Sequence, residues 1–301
     1  MIGNKKKLIV VVGPTAVGKT AMAIQLARHF NTEILSADSR QFYRELSIGT
    51  AKPSEEELGL AKHHFINSHS IATEYSAGDY ERDALTLLAK LFEGHDYVIM
   101  VGGSGLFVRA VCEGLDDLPR APAEVRDQLN RLHEKEGIGV LQEKLRSLDP
   151  VYYESADIQN PQRVIRALEV IEATGLPFSS FHGKIHDQRP FDVITIGLNM
   201  ERERLYERIN ERVDGMMAQG LLAEVKALQD FRKKPALLTV GYVELFAYLD
   251  GEIALDKAIE RIKQNSRRYA KRQITWFKKY GNTQWFTSSE WDQLLLYISG
   301  K

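Results

Sequence analysis

An α/β fold, a parallel sheet flanked by helices and interrupted by an all-helical insertion domain, is predicted by three features of the 301-residue sequence. Short apolar runs alternate with helical patterns through its first third, the rhythm of parallel strands joined by crossover helices. The first run ends in a glycine-rich segment, GPTAVGKT (13–20). Between 118 and 189 the strand-like runs cease and proline-punctuated helical patterns replace them.

Residues 8–12 (LIVVV) and 33–37 read as strands, 97–101 as another, and 64–67 as a weaker one; helical spacing covers 20–30 and 79–92. Pro122 opens a further helix. Asp149-Pro150 and Asn160-Pro161 each place a polar cap before a proline at the first helical position. Gly175 and Pro177 close the last helix of the insertion. FDVITIG (191–197) reads as a return to the sheet, and the remainder is mainly helical apart from a short strand near 285–287. Residues 1–117 and 190–301 therefore form the expected core, and 118–189 the insertion.

The composition, 44% hydrophobic and 27% charged with net charge −1, is that of an ordinary globular chain. Cys112 is the one cysteine, which excludes a disulfide framework and a cysteine metal cage, fits a cytoplasmic setting and reads as a buried apolar residue. Lys5, Lys6 and Lys7 precede an apolar run, but it stops at Gly13-Pro14, too short for a signal core or a membrane span. No other window approaches membrane-spanning length.

Gly13-x4-Gly18-Lys19-Thr20 satisfies the phosphate-loop pattern, so the sheet is expected to be P-loop NTPase-like. Gly13, Pro14, Thr15, Ala16, Val17, Gly18, Lys19 and Thr20 would hold a diphosphate or nucleotide: backbone N–H groups crowd the oxygens, Lys19 adds charge and the Thr20 hydroxyl reaches Mg²⁺. The next helix points its positive end at the anion. The rest of an NTPase is missing. Residues 97–101 end in Gly102-Gly103-Ser104-Gly105 rather than in an acid, and there is no guanine-reading Asn-Lys-x-Asp. Asp38 is the acid closing a core strand. It reads either as a turn aspartate or as a base beside the phosphates, at the carboxyl edge where open α/β sheets bind ligands.

The chain resembles the bacterial tRNA dimethylallyltransferase family over nearly its whole length, through GPTAVGKT (13–20), SADSRQFY (36–43), IGTAKP (48–53), YSAGDY (75–80), VGGSGLF (101–107), NPQRVIRALEV (160–170) and AKRQITWF (270–277), in family order. The resemblance implies transfer of a dimethylallyl group from dimethylallyl diphosphate to the exocyclic N6 amine of the adenine 3′ to the anticodon of tRNA, with Mg²⁺ as cofactor. It implies Asp38 as general base, Lys19 and Arg212 on the diphosphate, and tRNA contacts from Asp38, Ser39, Arg40, Gln41, Ser104, Arg126, Gln162, Arg163 and Arg166. Arg212, like Arg208, also flanks the apolar stripe Leu205, Ile209, Val213, Met216, and a snorkelling role for it stays open.

Residues 257–279 carry net charge +8 against −9 for the rest, a basic ridge fit for nucleic acid; Arg267, Arg268 and Arg272 lie on it. Ile259, Ile262, Tyr269, Gln273, Trp276 and Tyr280 are spaced to pack that helix on the core, with Trp276 and Phe277 as core anchors. The anticodon stem-loop is the expected partner of a monomeric protein. Two departures stand out: Thr239-Val240-Gly241-Tyr242-Val243-Glu244 lacks the positive charge the family carries there, which Lys233 or Lys234 would have to replace, and Phe107 stands where tyrosine is common. His182 and His186 have helical metal-ligand spacing without an evident third ligand; His63-His64 reads as a strand edge. Prenylation of free adenine nucleotides, a small-molecule P-loop kinase and a catalytically inert nucleic-acid-binding module are the alternatives.

Overall fold

The computed structural model describes residues 5–116, 118–119, 121–182, 188–280 and 282–300. Lys7–Val12 (β1) leads through the glycine loop into Lys19–His29 (α1). Ile34–Ser36 (β2), Glu55–Leu60 (α2), His63–His64 (β3), Ala77–Gly94 (α3), Tyr97–Val101 (β4) and Gly105–Cys112 (α4) follow. The helices Ala123–Glu136 (α5), Ile138–Leu148 (α6), Pro150–Ser155 (α7) and Pro161–Thr174 (α8) come next. Asp192–Leu198 (β5) precedes Arg202–Ala218 (α9), Leu221–Ala227 (α10), Tyr242–Leu249 (α11), Leu255–Lys279 (α12), Thr283–Phe286 (β6) and Trp291–Ser299 (α13).

The strands form one sheet in the order β3-β2-β4-β1-β5-β6, every pair parallel. β1 is central, and Leu8 to Val12 are all fully buried because helices cover both faces. Ile9, Val11 and Ile99 pack on one face and Leu8, Val10 and Met100 on the other. At about 1.5–3 kcal/mol for each fully buried aliphatic side chain, β1 and β4 make the main hydrophobic anchor. The family of strands expected from sequence is present with shifted bounds. β3 is two residues long because Phe65 and Asn67 take positive φ (62° and 55°) and break the extended chain. β6 stops before Thr287, whose N–H is held by Glu290 Oε2 at 2.6 Å.

Met1–Gly114 with Gln188–Lys301 form one compact unit and Leu115–Asp187 a second. The second unit is helical, with a core of Leu141, Leu145, Ile165, Leu168 and neighbours. The caps read from sequence are in place: Asn160 Oδ1 accepts from Gln162 N at 3.1 Å, Gly175 ends α8 in the left-handed region, and Asp149 Oδ1 accepts from Tyr152 N at 3.0 Å. Asp149 does more than cap. It is 1% exposed, and it also accepts from Ser179 N at 2.7 Å and Ser179 Oγ at 2.8 Å. Asp149→Ala leaves three part-buried donors without this partner and is expected to lower the stability of this unit by about 2–4 kcal/mol. Hydrogen exchange checks it: protection should fall across α6–α8 and stay unchanged in β1 and β4. His182 Nδ1 lies 3.0 Å from Asp116 Oδ2 and its ring stacks on Tyr152; Gly183 and His186 lie outside the described residues.

Candidate active site

The site is built at the carboxyl ends of β1, β2 and β4. Gly13 (φ 143°) and Gly18 (φ 101°) let the loop after β1 fold back; a side chain at Gly13 would meet Leu198 O at 2.7 Å. Val17 turns inward and packs in the core, leaving Thr15, Ala16, Gly18, Lys19 and Thr20 around a cavity of about 900 Å³. Lys19 Nζ donates to Gly13 O at 3.0 Å and Pro14 O at 2.8 Å. Burial, with Arg212 adding to it, pulls the Lys19 ammonium down to about 7, against the opposing pull of Asp38. Arg212, projecting from α9, is likewise held below its ordinary value by burial, and Asp38 again opposes. Lys19, Arg212 and Asp38 thus face one cavity, and an anion with several charges would relieve the crowding of the cations.

Asp38 follows β2. Its Oδ1 accepts from Arg40 N at 2.9 Å, so the turn role is real; its other oxygen takes no hydrogen bond from the described residues, and the carboxylate lines both this cavity and an adjoining one of about 210 Å³. Ser39 and Arg40 line the smaller cavity with Thr15 and Arg212. Ser104 Oγ accepts from Ser39 N at 2.9 Å and donates to Ser39 Oγ at 3.1 Å, tying the end of β4 to the Asp38 loop. Gln41 lines the larger cavity, yet its amide is held inside the fold by Ser36 Oγ (3.1 Å), Thr50 O and Ala51 O (both 3.2 Å). Arg40 reaches Pro235 O at 3.3 Å.

The structure corrects the reading of Tyr269. Helical spacing places it on the core-packing face, but it is 36% exposed and lines both cavities, because that face of α12 runs past the edge of the core over the open end of the sheet. Burial of its hydroxyl, then the Asp38 carboxylate, push it up to about 12. Ile259, Trp276 and Tyr280 are half-buried, while Ile262, Gln273 and Phe277 are buried as expected. Trp276 fits against Gly105, where a side chain would come within 2.1 Å of its indole nitrogen.

Of the basic residues on α12, Arg268 and Arg272 are exposed, Arg272 over the Tyr269 ring, whereas Arg267 donates to Asn210 Oδ1 at 2.6 Å and lies over Tyr206. In the Leu115–Asp187 unit, Arg126, Gln162 and Arg166 are gathered: Arg126 bonds Gln162 Oε1 at 2.9 Å, and the buried Glu169 pairs with Arg126 at 3.2 Å and Arg166 at 3.3 Å. Arg163 is exposed on the same helix.

Sequence reasoning missed two supports. Glu224 accepts from the N–H groups of Ser47, Ile48 and Gly49 at 2.7–3.0 Å and from Tyr242 Oη at 2.7 Å, pinning the loop that forms one cavity wall. Lys52 lines that cavity and is lowered to about 8 by burial, its ammonium donating to Tyr43 O at 2.5 Å and Asn67 Oδ1 at 2.6 Å. The only sequence signal for either was the IGTAKP segment itself. The Thr239–Glu244 turn is structural: Glu244, 6% exposed, accepts from Gly241 N at 2.8 Å and Asn265 Nδ2 at 2.7 Å, leaving Val243 outward and uncharged. Among the described residues no cluster of His, Cys, Asp and Glu could by itself hold a metal. Cys112 is half-buried against the α3–α4 core, and burial raises its thiol to about 12.

The model of the IPP transferase family matches residues 41–280. A tRNA dimethylallyltransferase of Christiangramia forsetii is 53% identical over 283 residues, 94% of each chain, and one of Flavobacterium johnsoniae is 50% identical over 300 residues, 97% of each. Among solved structures, the tRNA isopentenylpyrophosphate transferase of Bacillus halodurans superposes with a TM-score of 0.72 at 38% identity, covering 98% of this chain and 96% of its own. A eukaryotic dimethylallyltransferase described as acting on tRNA superposes with a TM-score of 0.77 at 27% identity, covering 98% and 79%. With the phosphate loop, the Asp38 turn and the parallel sheet all in place, the chain belongs to the IPP transferase family.

Proposed function

We infer that this protein transfers a dimethylallyl group from dimethylallyl diphosphate to the N6 amine of the adenine 3′ to the anticodon of tRNA, releasing diphosphate. The observation that carries this reading is the shared cavity of Lys19, Arg212 and Asp38: cations for a departing anion and a proton acceptor in the same space. The amine nitrogen attacks the allylic carbon, the carbon–oxygen bond breaks, the bonding pair leaves with diphosphate, and the amine proton passes to Asp38. Loop N–H groups, Lys19 and Arg212 stabilise charge as it grows on the leaving oxygen. Thr20 and the donor's own oxygens would hold Mg²⁺, which would supply further charge neutralisation. The target adenine leaves its stack to reach the cavity. No described helix is long and apolar enough to cross a membrane.

Supplying allyl-labelled donor and Mg²⁺ with unmodified tRNA, free adenine nucleotide or, separately, labelled ATP tests the reading. Label in tRNA supports it; label on nucleotide alone, phosphate transfer from ATP, or binding without product each overturns it in favour of a different activity.

Donor affinity should depend on pH. Free Lys19 sits near 7, and a bound diphosphate raises it, so binding takes up a proton wherever pH lies between the two values. Affinity is then full below about 7 and falls by up to about tenfold per unit above it. Calorimetry in buffers of different ionisation enthalpy at pH 8 reads the proton uptake directly. Lys19→Arg removes it.

Arg268 and Arg272 are both exposed on α12, so Arg268→Gln with Arg272→Gln should reduce the slope of log K against log salt for tRNA by about 1.5. Arg267 is left intact because its bond to Asn210 braces α9. An unchanged slope would place the RNA elsewhere.

A further inference from the structure

Gln273 lies on the inner side of α12, 6% exposed, where a neutral amide is an unusual choice for a helix packed on an apolar core. Its two ends have different partners. Oε1 accepts from the N–H of Thr15 in the phosphate loop at 2.8 Å, and Nε2 donates to Gly103 O, at the end of β4, at 3.0 Å. The partners fix the amide's orientation, since one is a donor and the other an acceptor. Gly103 is glycine for the same reason: a side chain there would lie 2.2 Å from Nε2. The next residue, Ser104, is bonded to Ser39 N at 2.9 Å, and Ser39 adjoins Asp38. A single polar chain therefore runs from Thr15 through Gln273, Gly103, Ser104 and Ser39 to Asp38.

The ends of that chain are the two halves of the chemistry. Direct displacement at carbon needs the leaving oxygen, the carbon and the incoming nitrogen in line, and a misplacement of about 1 Å can lower a rate by about 10²-fold. β1 and β2 are not neighbours; β4 stands between them. β4 is laddered to both, as far as Ala37 N donating to Val101 O at 2.7 Å and Gly102 N donating to Val11 O at 3.1 Å; beyond those bonds it is Gln273 that joins the phosphate loop to the β4 turn. We propose that Gln273 is a positioning residue for the transfer, its amide bracing the phosphate loop against the β4 turn so that leaving group and Asp38 stand at a set separation. This rests on the reading under Proposed function.

Gln273→Met preserves volume and removes both bonds; Gln273→Glu keeps the acceptor for Thr15 N–H and removes the donor to Gly103 O. Single-turnover transfer at saturating donor and tRNA is measured for each, alone and combined with Ser104→Ala, alongside tRNA affinity and melting temperature. Gln273→Met is expected to lower the saturated rate by roughly tenfold or more, with tRNA affinity within about twofold. Its effect with Ser104→Ala should be smaller than the product of the single effects, because the two bonds act in series. A rate equal to wild type, a change confined to the donor KM, or multiplicative effects would overturn the proposal. Should Gln273→Met not fold, Gln273→Leu, which also removes both bonds without adding charge, carries the same comparison. Absence of transfer by the wild-type protein removes the functional reading itself, whereas normal wild-type transfer with an unimpaired Gln273 variant removes this inference alone.

Discussion

Asp38→Asn is expected to reduce the single-turnover rate of allyl transfer by at least ~10²-fold, while tRNA affinity stays within about twofold. The asparagine oxygen can still accept from Arg40 N, the bond that holds the turn, so the loop keeps its course. What disappears is the proton acceptor. An exocyclic adenine amine is a weak nucleophile and very weakly acidic, so its proton must leave as the carbon–nitrogen bond forms or just after. Asp38 also supports the charge on Lys19, so donor affinity is measured separately from the rate. Quench-flow with labelled donor reads the rate and filter binding reads the affinity. A rate near wild type would remove Asp38 from the role of base.

Lys19→Ala should lower kcat/KM for the donor by about 10²–10³-fold, the scale of removing one preorganised charge or donor from a developing anion. The lysine has no substitute nearby with the same reach. Arg212 comes from α9 rather than from the loop, and Lys52 is already bonded to Tyr43 O and Asn67 Oδ1. Lys19→Arg should recover part of the loss, because charge is restored while the fork does not reproduce the two carbonyl contacts of the ammonium. Steady-state kinetics with varied donor tests both variants. An alanine variant within a few-fold of wild type would mean that the loop does not bear on the leaving group.

Much of the fold could be read in the residues. β1 and β4 are continuous apolar runs because both their faces are covered, and Asn160, Asp149 and Gly175 are helix boundaries whose chemistry is local. The phosphate loop was legible because its glycines answer to backbone geometry rather than to distant neighbours. What sequence could not give is what depends on which segments meet. Tyr269 has the spacing of a core residue and is a cavity wall only because α12 crosses the open end of the sheet. Glu224 looks like any acidic residue on a helix until Tyr242 and the 47–49 backbone close on it. Arg267 belongs to a basic ridge by composition but is turned inward by Asn210. Gln273 carried a packing label for the same reason; its two bonds span 258 and 170 residues of sequence.

If the glycine loop holds the leaving group, the anion set free is diphosphate. This is read by incubating the protein with dimethylallyl diphosphate, Mg²⁺ and unmodified tRNA, then quantifying released diphosphate and orthophosphate beside the digested nucleosides. One diphosphate for each N6-dimethylallyladenosine, without orthophosphate, is the expected result. Orthophosphate release, or diphosphate appearing with no prenylated adenosine, would contradict it.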